Sequence, residues 1–363
     1  MSATGLHLED HLAAWDGLGV VCRHDAASGA WIFIALHDAR RGAPTGGTRI
    51  MSYASPTEAL EDAMRLAAGM TAKWAVIGVP FGGGKAVIAP PGPLAGEARR
   101  ALLRRYGRLV ESLHGSFVTG EDLGTTPEDM AEVARATRHV LGGHGGDGLL
   151  TDPGPFTAHG VVAAMAAICA HLDGQLDGRA GLAGRRVAIQ GVGDVGAPLA
   201  RQLAAAGASL VLSDTDPRRL AALAEETGAE TVTVEAVYET PCDLFAPCAV
   251  GAVLNEKTIS RLACRAVCGS ANNQLASDRD AERLHDRGIL YAPDYVANAG
   301  GAIAFARLTE DRAATAEDLF SRVETIGPIL EEILAEAAAR RESPLHAAHR
   351  RVARALAAAP DQA

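Results

Sequence analysis

The chain has no surplus of positive charge, no paired cysteine motif and no leader-like start. Its 363 residues carry 44 acidic and 34 basic side chains, a formal net charge of -10. That balance argues against nucleic-acid and membrane-surface partners, which need a basic footprint, and favours small molecules. The six cysteines, Cys22, Cys169, Cys242, Cys248, Cys264 and Cys268, form no C-x-x-C pair, which fits reduced intracellular thiols better than a disulfide framework. Cys264 and Cys268 have the spacing of one helix face, and His7 with His11 and His346 with His349 are also close in sequence. None has a second ligand cluster beside it, so no metal is expected. The N-terminus lacks the basic flank and apolar stretch of a signal peptide, and no uninterrupted apolar run approaches a membrane span. The expected location is the cytoplasm.

What is present is bulk and glycine: 48% hydrophobic residues, 21% charged and 40 glycines, enough for two domains and a large core in an α/β protein. Val20–His24 and Trp31–Leu36 read as paired strands around the turn-like Asp25–Gly29, with a third strand at Thr48–Tyr53. Pro56 suits a helix start, and Ala59, Leu60, Ala63, Met64, Leu66, Ala67 and Met70 recur at helical spacing, delivering Lys73 at the C-terminal end. Helices are expected at Gly96–Leu113 and Pro127–Thr137, with a short strand at Ser116–Thr119 between them. Glycines crowd Gly142 to Gly148, with Pro153 and Pro155 following, which sets the domain boundary there.

Beyond it, strand and helix alternate as in a doubly wound sheet: Val187–Gln190, a helix to Ala206, Ser209–Ser213, a helix at Pro217–Thr227, Thr231–Val234 and Asp243–Phe245. Helices at Leu319–Ala338 and His346–Ala358 close the chain. Between the first strand and helix stands a full G-x-G-x-x-G: Gly191, Val192, Gly193, Asp194, Val195, Gly196. The first glycine permits the turn, the second admits a pyrophosphate and the third lets helix and strand pack closely. Asp214 ends the next strand, where a carboxylate binds a ribose 2'-hydroxyl and repels a 2'-phosphate. That favours NAD over NADP, although Arg218 and Arg219 stand within reach of such a phosphate.

The stretch from Gly69 to Ile88 sets Lys73 and Lys85 around the glycines Gly82, Gly83 and Gly84. Two close ammonium groups call for an anion or a depressed pKa, so one can hold a carboxylate while the other serves as a base. A phosphate-binding loop is excluded twice, because Val79 occupies the first glycine position and Ala86 follows the lysine. The plain structural alternative is a tight glycine turn into the strand Ala86–Ala89 with Lys85 in solvent, and spacing alone does not choose between these.

These segments, with Gly46-Gly47-Thr48-Arg49, Thr119 to Thr126, Gly269 to Leu275 and Tyr291 to Gly301, resemble the leucine, phenylalanine and valine dehydrogenase branch of the glutamate dehydrogenase superfamily. The likeness runs from about Gly46 to Ala302. It implies two α/β domains: residues 1–148 for substrate binding and oligomerisation, 149–340 as a Rossmann NAD-binding domain, and 341–363 as a C-terminal helix packing back on the first domain. It implies a homo-oligomer that converts an L-amino acid, NAD and water into a 2-oxo acid, ammonia and NADH.

By the same resemblance, Lys73 holds the substrate α-carboxylate with help from backbone at Gly46 and Gly47. Lys85 is the base that activates water, and Asp122 exchanges protons with the amine. Asp122 read without the resemblance is a cap before Thr125 and Thr126. Asn272 and Asn273 look like contacts to the nicotinamide ribose and the substrate amine, or else loop-internal hydrogen bonds. Thr157 looks like the contact to the nicotinamide carboxamide, or else a helix-starting hydroxyl.

Departures matter for specificity. Trp74 follows Lys73 where many members have asparagine, either as core packing or as a reshaped pocket. Ala304-Phe305-Ala306-Arg307 replaces acidic residues expected after Gly300-Gly301. Thr45 stands where glutamate dehydrogenases carry a lysine for the γ-carboxylate, so glutamate is disfavoured. Gly120 resembles the small residue of aromatic-accepting members, which favours phenylalanine, with leucine and valine close behind. The alternatives are a catalytically altered NAD-binding paralogue and a pathway-specific dehydrogenase of an unusual aromatic amino acid.

Overall fold

A computed structural model describes residues 8–141, 152–174, 181–311 and 313–359. The chain divides into two compact units, residues 152–353 forming the second and the remainder the first. The expected boundary in the glycine run lies outside the described residues.

The first unit is built on a five-stranded sheet of β1 (Gly19–Asp25), β2 (Ala30–Asp38), β3 (Pro44–Ile50), β4 (Gly82–Ala89) and β5 (Val118–Glu121), in the order β1-β2-β4-β3-β5. β1 and β2 form the expected antiparallel pair, β2 and β4 are antiparallel, and β3 runs parallel to both β4 and β5. Both faces are covered, so the strands alternate between two cores. Ile32, Ile34, Ala86 and Ile88 pack against Leu102, Leu103 and Tyr106 of the helix Gly96–Glu111. Phe33, Ala35 and Val87 pack against Ala59, Ala63 and Ala67 of the helix Pro56–Val76. Lys85 is in phase with Val87, which places it on the same face as the helix that carries Lys73.

Gly82, Gly83 and Gly84 are strand, not the turn the sequence suggests. β4 starts at Gly82, because the helix Pro56–Val76 lies so close that a Cβ on Gly83 would meet Thr71 Oγ1 at 1.9 Å and the Ala67 carbonyl at 2.6 Å. The glycines therefore serve close packing rather than chain reversal. The solvated alternative for Lys85 falls with the turn, since the residue is 5% exposed. β3 likewise starts earlier than expected, at Pro44, and takes in Gly46 and Gly47.

The second unit holds a six-stranded sheet of β6 (Arg186–Gln190), β7 (Ser209–Ser213), β8 (Glu230–Thr231), β9 (Cys242–Pro247), β10 (Cys264–Val267) and β11 (Leu290–Tyr291), ordered β11-β10-β9-β6-β7-β8. Every pairing is parallel. Read from the other edge this is the 3-2-1-4-5-6 order of a Rossmann sheet, with its switch point between β6 and β9. Cys264 lies in β10 and Cys268 just after it, so the two share no helix face. Among the described residues no group of three or more His, Cys, Asp or Glu is arranged to hold a metal ion.

A long apolar helix and a divided one complete the second unit. The helix Gly154–Leu172 has a window of mean hydropathy 1.4, apolar and long enough by composition to cross a membrane. It is a core helix: Phe156, Val161, Met165 and Ile168 are buried, and a helix covered on most sides reads as apolar. The expected single helix Leu319–Ala338 is two, Ala316–Val323 and Ile326–Arg340. Pro328 lacks an amide proton and its ring conflicts with the carbonyl four residues earlier, so a new helix starts just before it. The last helix is Pro344–Ala357; its Leu345 belongs to the second unit's core, and residues from Arg354 group with the first unit.

Candidate functional site

In the first unit, two chain segments converge on one carboxylate. Asp122 follows β5, and Lys85 reaches it from β4 with Nζ 3.1 Å from Oδ1. Arg49, from the end of β3, donates through Nε to Oδ2 at 2.9 Å. Burial pushes the Asp122 pKa up, but Lys85 and Arg49 outweigh it and the carboxylate titrates below its ordinary range. Arg49 is itself held by Asp62, 3.0 Å away, whose carboxylate also accepts from the Tyr53 hydroxyl at 2.7 Å. Gly47 makes this convergence sterically feasible: a Cβ there would lie 2.8 Å from Asp122 Cβ and 2.3 Å from the Glu121 carbonyl oxygen.

Asp122 is not a helix cap. The helix Pro127–Ala134 is capped by Thr126 in a reciprocal box with Asp129, and the Asp122 carboxylate is left to the two cations. Its backbone amide donates to Thr125 Oγ1 at 2.9 Å, which fixes the turn.

Lys73 is half-buried on the last turn of the helix Pro56–Val76, where a cation also suits the helix dipole. Trp74 beside it turns inward and is 2% exposed. Gly46 and Gly120 are buried. Thr45 is wholly buried and its hydroxyl donates to the Ala43 carbonyl at 2.8 Å.

In the second unit the glycine motif occupies the switch point. Gly191 follows β6 with φ +92°, a conformation open to glycine, and its amide donates to the Ser213 carbonyl at 2.7 Å. A Cβ on Gly196 would lie 2.0 Å from the Gly191 carbonyl oxygen, so the third glycine is required for helix contact. Gly193 differs: its nearest neighbour would be the Arg219 guanidinium, 3.7 Å away. That open face fits a dinucleotide pyrophosphate, with Val192, Asp194 and Val195 completing the loop.

Asp214 does more than its position predicts. Its carboxylate accepts from the Val192 amide at 2.7 Å and the Asp216 amide at 2.8 Å, bracing the glycine loop. Burial pushes its pKa up, yet these two amides and Arg219 hold it below the usual carboxylate value. Arg219 stands 3.8 Å from one oxygen of Asp214.

Asn272 and Asn273 are exposed on the loop after β10. Asn273 has φ +52°, and its carbonyl accepts from the Ala252 amide at 2.7 Å. Asn272 Oδ1 accepts from Asn298 Nδ2 at 2.7 Å, and that same nitrogen donates to the Ser270 carbonyl at 3.2 Å. Since a carbonyl only accepts, this sets the orientation of both amides and turns the Asn272 NH2 outward. Thr157 is not the helix cap, a position held by Pro153, while Asp152 Oδ1 accepts from the Gly154 amide at 2.8 Å; Thr157 Oγ1 accepts from the Gly301 amide at 3.2 Å.

Sequence reasoning missed roles for Arg49 and Asn298. Both lie inside motifs already recognised, Gly46 to Arg49 and Tyr291 to Gly301, so the signal was membership in the motif rather than residue type.

Comparison with known proteins matches both units. Residues 24–139 match the Glu/Leu/Phe/Val dehydrogenase dimerisation domain, and residues 212–359 match the Glutamate/Leucine/Phenylalanine/Valine dehydrogenase domain. A leucine dehydrogenase of Thermoactinomyces intermedius is 42% identical over 81% of this chain and 79% of its own. A phenylalanine dehydrogenase of Lysinibacillus sphaericus is 43% identical over 79% of this chain and 75% of its own. The crystal structure of L-tryptophan dehydrogenase from Nostoc punctiforme is similar with a TM-score of 0.80 and 34% identity, covering 96% of this chain and 98% of that one.

Proposed function

The chain belongs to the glutamate, leucine, phenylalanine and valine dehydrogenase family, and from that premise we propose that it carries out NAD-dependent, reversible oxidative deamination of an apolar L-amino acid. It is an amino acid dehydrogenase, an oxidoreductase acting on a CH–NH2 group, and its substrates are small molecules, amino acids and their 2-oxo acids. The observation that carries the mechanism is the pairing of buried Lys85 with half-buried Asp122, on the sheet face covered by the helix that bears Lys73.

NAD held at the glycine loop would supply the acceptor for the hydride that leaves the substrate Cα. Lys73 and the backbone at Gly46 and Gly47 hold the α-carboxylate. Lys85 takes a proton from the water that attacks the imino carbon, and Asp122, 3.1 Å from Lys85, exchanges protons with the departing amine. Arg49 keeps one Asp122 oxygen occupied, so the other is left to Lys85. Asn272 presents a donor to the ribose or substrate, Asn273 lies beside it, and Thr157 serves the carboxamide end. Asp214 favours NAD, because its charge opposes a 2'-phosphate.

Buried Thr45 offers no cation to a γ-carboxylate, which supports an apolar side chain. Gly120 leaves room for a large one: a Cβ there would have no neighbour nearer than 3.6 Å. Phenylalanine is the first expectation, then leucine and valine. The inward turn of Trp74 removes one ground for a catalytically silent paralogue. The first family model, a dimerisation domain, supports a homo-oligomer assembled through the first unit. Six unpaired cysteines support a reducing compartment, the cytoplasm. The test is a panel of apolar L-amino acids with NAD or NADP at alkaline pH, read at the NADH absorbance band. Turnover of none overturns the reading, and preference for NADP overturns the cofactor assignment alone.

A further inference from the structure

Lys73 and Trp74 are neighbours on the last turn of one helix, yet one is half-buried and the other is 2% exposed. The Trp74 indole reaches back to β3. Its Nε1–H donates to the Thr45 carbonyl at 2.9 Å, bonding residues 29 positions apart. Its ring meets Phe81 edge-on, with centroids 5.2 Å apart. Its own carbonyl accepts from the Val79 amide at 3.1 Å.

Two of these contacts end at the strands that carry the proposed roles. Thr45 immediately precedes Gly46 and Gly47 in β3, and Phe81 immediately precedes β4, which carries Lys85. The Gly46-Gly47 backbone has no side chains of its own to pack, and glycine is the residue with most freedom to lose. Its ladder to β5 pairs Gly46 with Thr119 and Gly47 with Gly120, but the register to β4 covers Pro44 and Thr45 and resumes only at Thr48. On that side the hold falls to Thr45, whose hydroxyl is committed to Ala43.

We infer that Trp74 is a positioning residue: its indole N–H fixes the Thr45-Gly46-Gly47 backbone relative to Lys73, so that lysine and backbone grip one substrate carboxylate together. This rests on the proposed roles of Lys73, Gly46 and Gly47. The carboxylate is unchanged by the reaction, so a slackened grip weakens ground state and transition state alike. The signature is a raised KM with kcat preserved.

The test is steady-state kinetics on Trp74→Phe, which keeps a six-membered ring against Phe81 and removes the N–H together with the five-membered ring that carries it, with the amino acid that the wild type oxidises best. KM for the amino acid rises about tenfold, as loss of one buried hydrogen bond allows. The kcat and the KM for the nicotinamide cofactor stay within about twofold. Phe81→Leu, which keeps the N–H and loosens the ring, gives a smaller rise in the same constant and serves if Trp74→Phe does not fold. An unchanged amino-acid KM in the folded variant, or a fall in kcat alone, overturns the inference while leaving the proposed function intact. A wild type that oxidises no amino acid removes both.

Discussion

The Lys85 ammonium lies 3.1 Å from one oxygen of Asp122, and the second oxygen of that carboxylate is taken by Arg49 at 2.9 Å. One anion between two cations has a practical consequence. When Lys85 is removed, Arg49 still neutralises Asp122, so the fold does not inherit a bare buried charge. Lys85→Ala is therefore expected to fold and to lose about 10²- to 10⁴-fold in kcat, the range of a missing acid–base group. NADH affinity, read by fluorescence, stays close to wild type. Lys73→Ala behaves differently, raising the amino-acid KM with a smaller effect on kcat. Equal, modest effects from both substitutions break the assigned roles.

A second pair tests the fold rather than the chemistry. Asp25, at the end of β1, receives Arg105 Nε and one terminal nitrogen, each at 2.6 Å. The Arg105 hydrogen bond chiefly, helped by Ser28 and opposed by burial, takes the Asp25 pKa from 3.8 to about 2. The folded value lies below the unfolded one. The stabilisation is therefore fully present above about pH 4 and is lost as pH falls through about 2. It is worth about 2 kcal/mol at neutral pH. Urea unfolding of wild type and Asp25→Asn should show that gap at pH 7, narrowed by about half near pH 3. A gap that does not change with pH assigns the loss to packing instead.

Local chemistry was legible where caps and breakers mark it. The helix Pro217–Thr227 is found as expected because Asp216 caps it, Pro217 starts it and left-handed Gly228 ends it. Gly82 to Gly84 misled for a physical reason: glycine reads as a turn, but here its missing side chain admits a helix, and no local signal separates the two. β10 and β11 span only four and two residues, too short for alternation to register. The candidate site was half legible. Lys73, Lys85 and Asp122 stood in motifs, but Arg49 meets Asp122 across 73 positions, a pairing that only the β3–β5 register creates. Asp122 read on its own as a cap because Thr125 and Thr126 follow it, and Thr126 does the capping.

Asp214 has two tasks in this fold, and one substitution addresses both. Its two oxygens accept from the Val192 and Asp216 amides, so the residue expected to meet the cofactor ribose also shapes the loop beneath the pyrophosphate. Asp214→Asn keeps the volume but converts one acceptor into a donor, so one of those backbone amides loses its partner and the local negative charge disappears. A lost buried hydrogen bond of about 1–3 kcal/mol predicts NADH binding weaker by roughly ten- to a hundredfold. NADPH binding, no longer opposed by the carboxylate, should fall less or rise, narrowing the preference between the two. Fluorescence titration of both cofactors measures this without reference to turnover. Equal loss for both leaves only the bracing role, and unchanged NADH affinity removes both roles from Asp214.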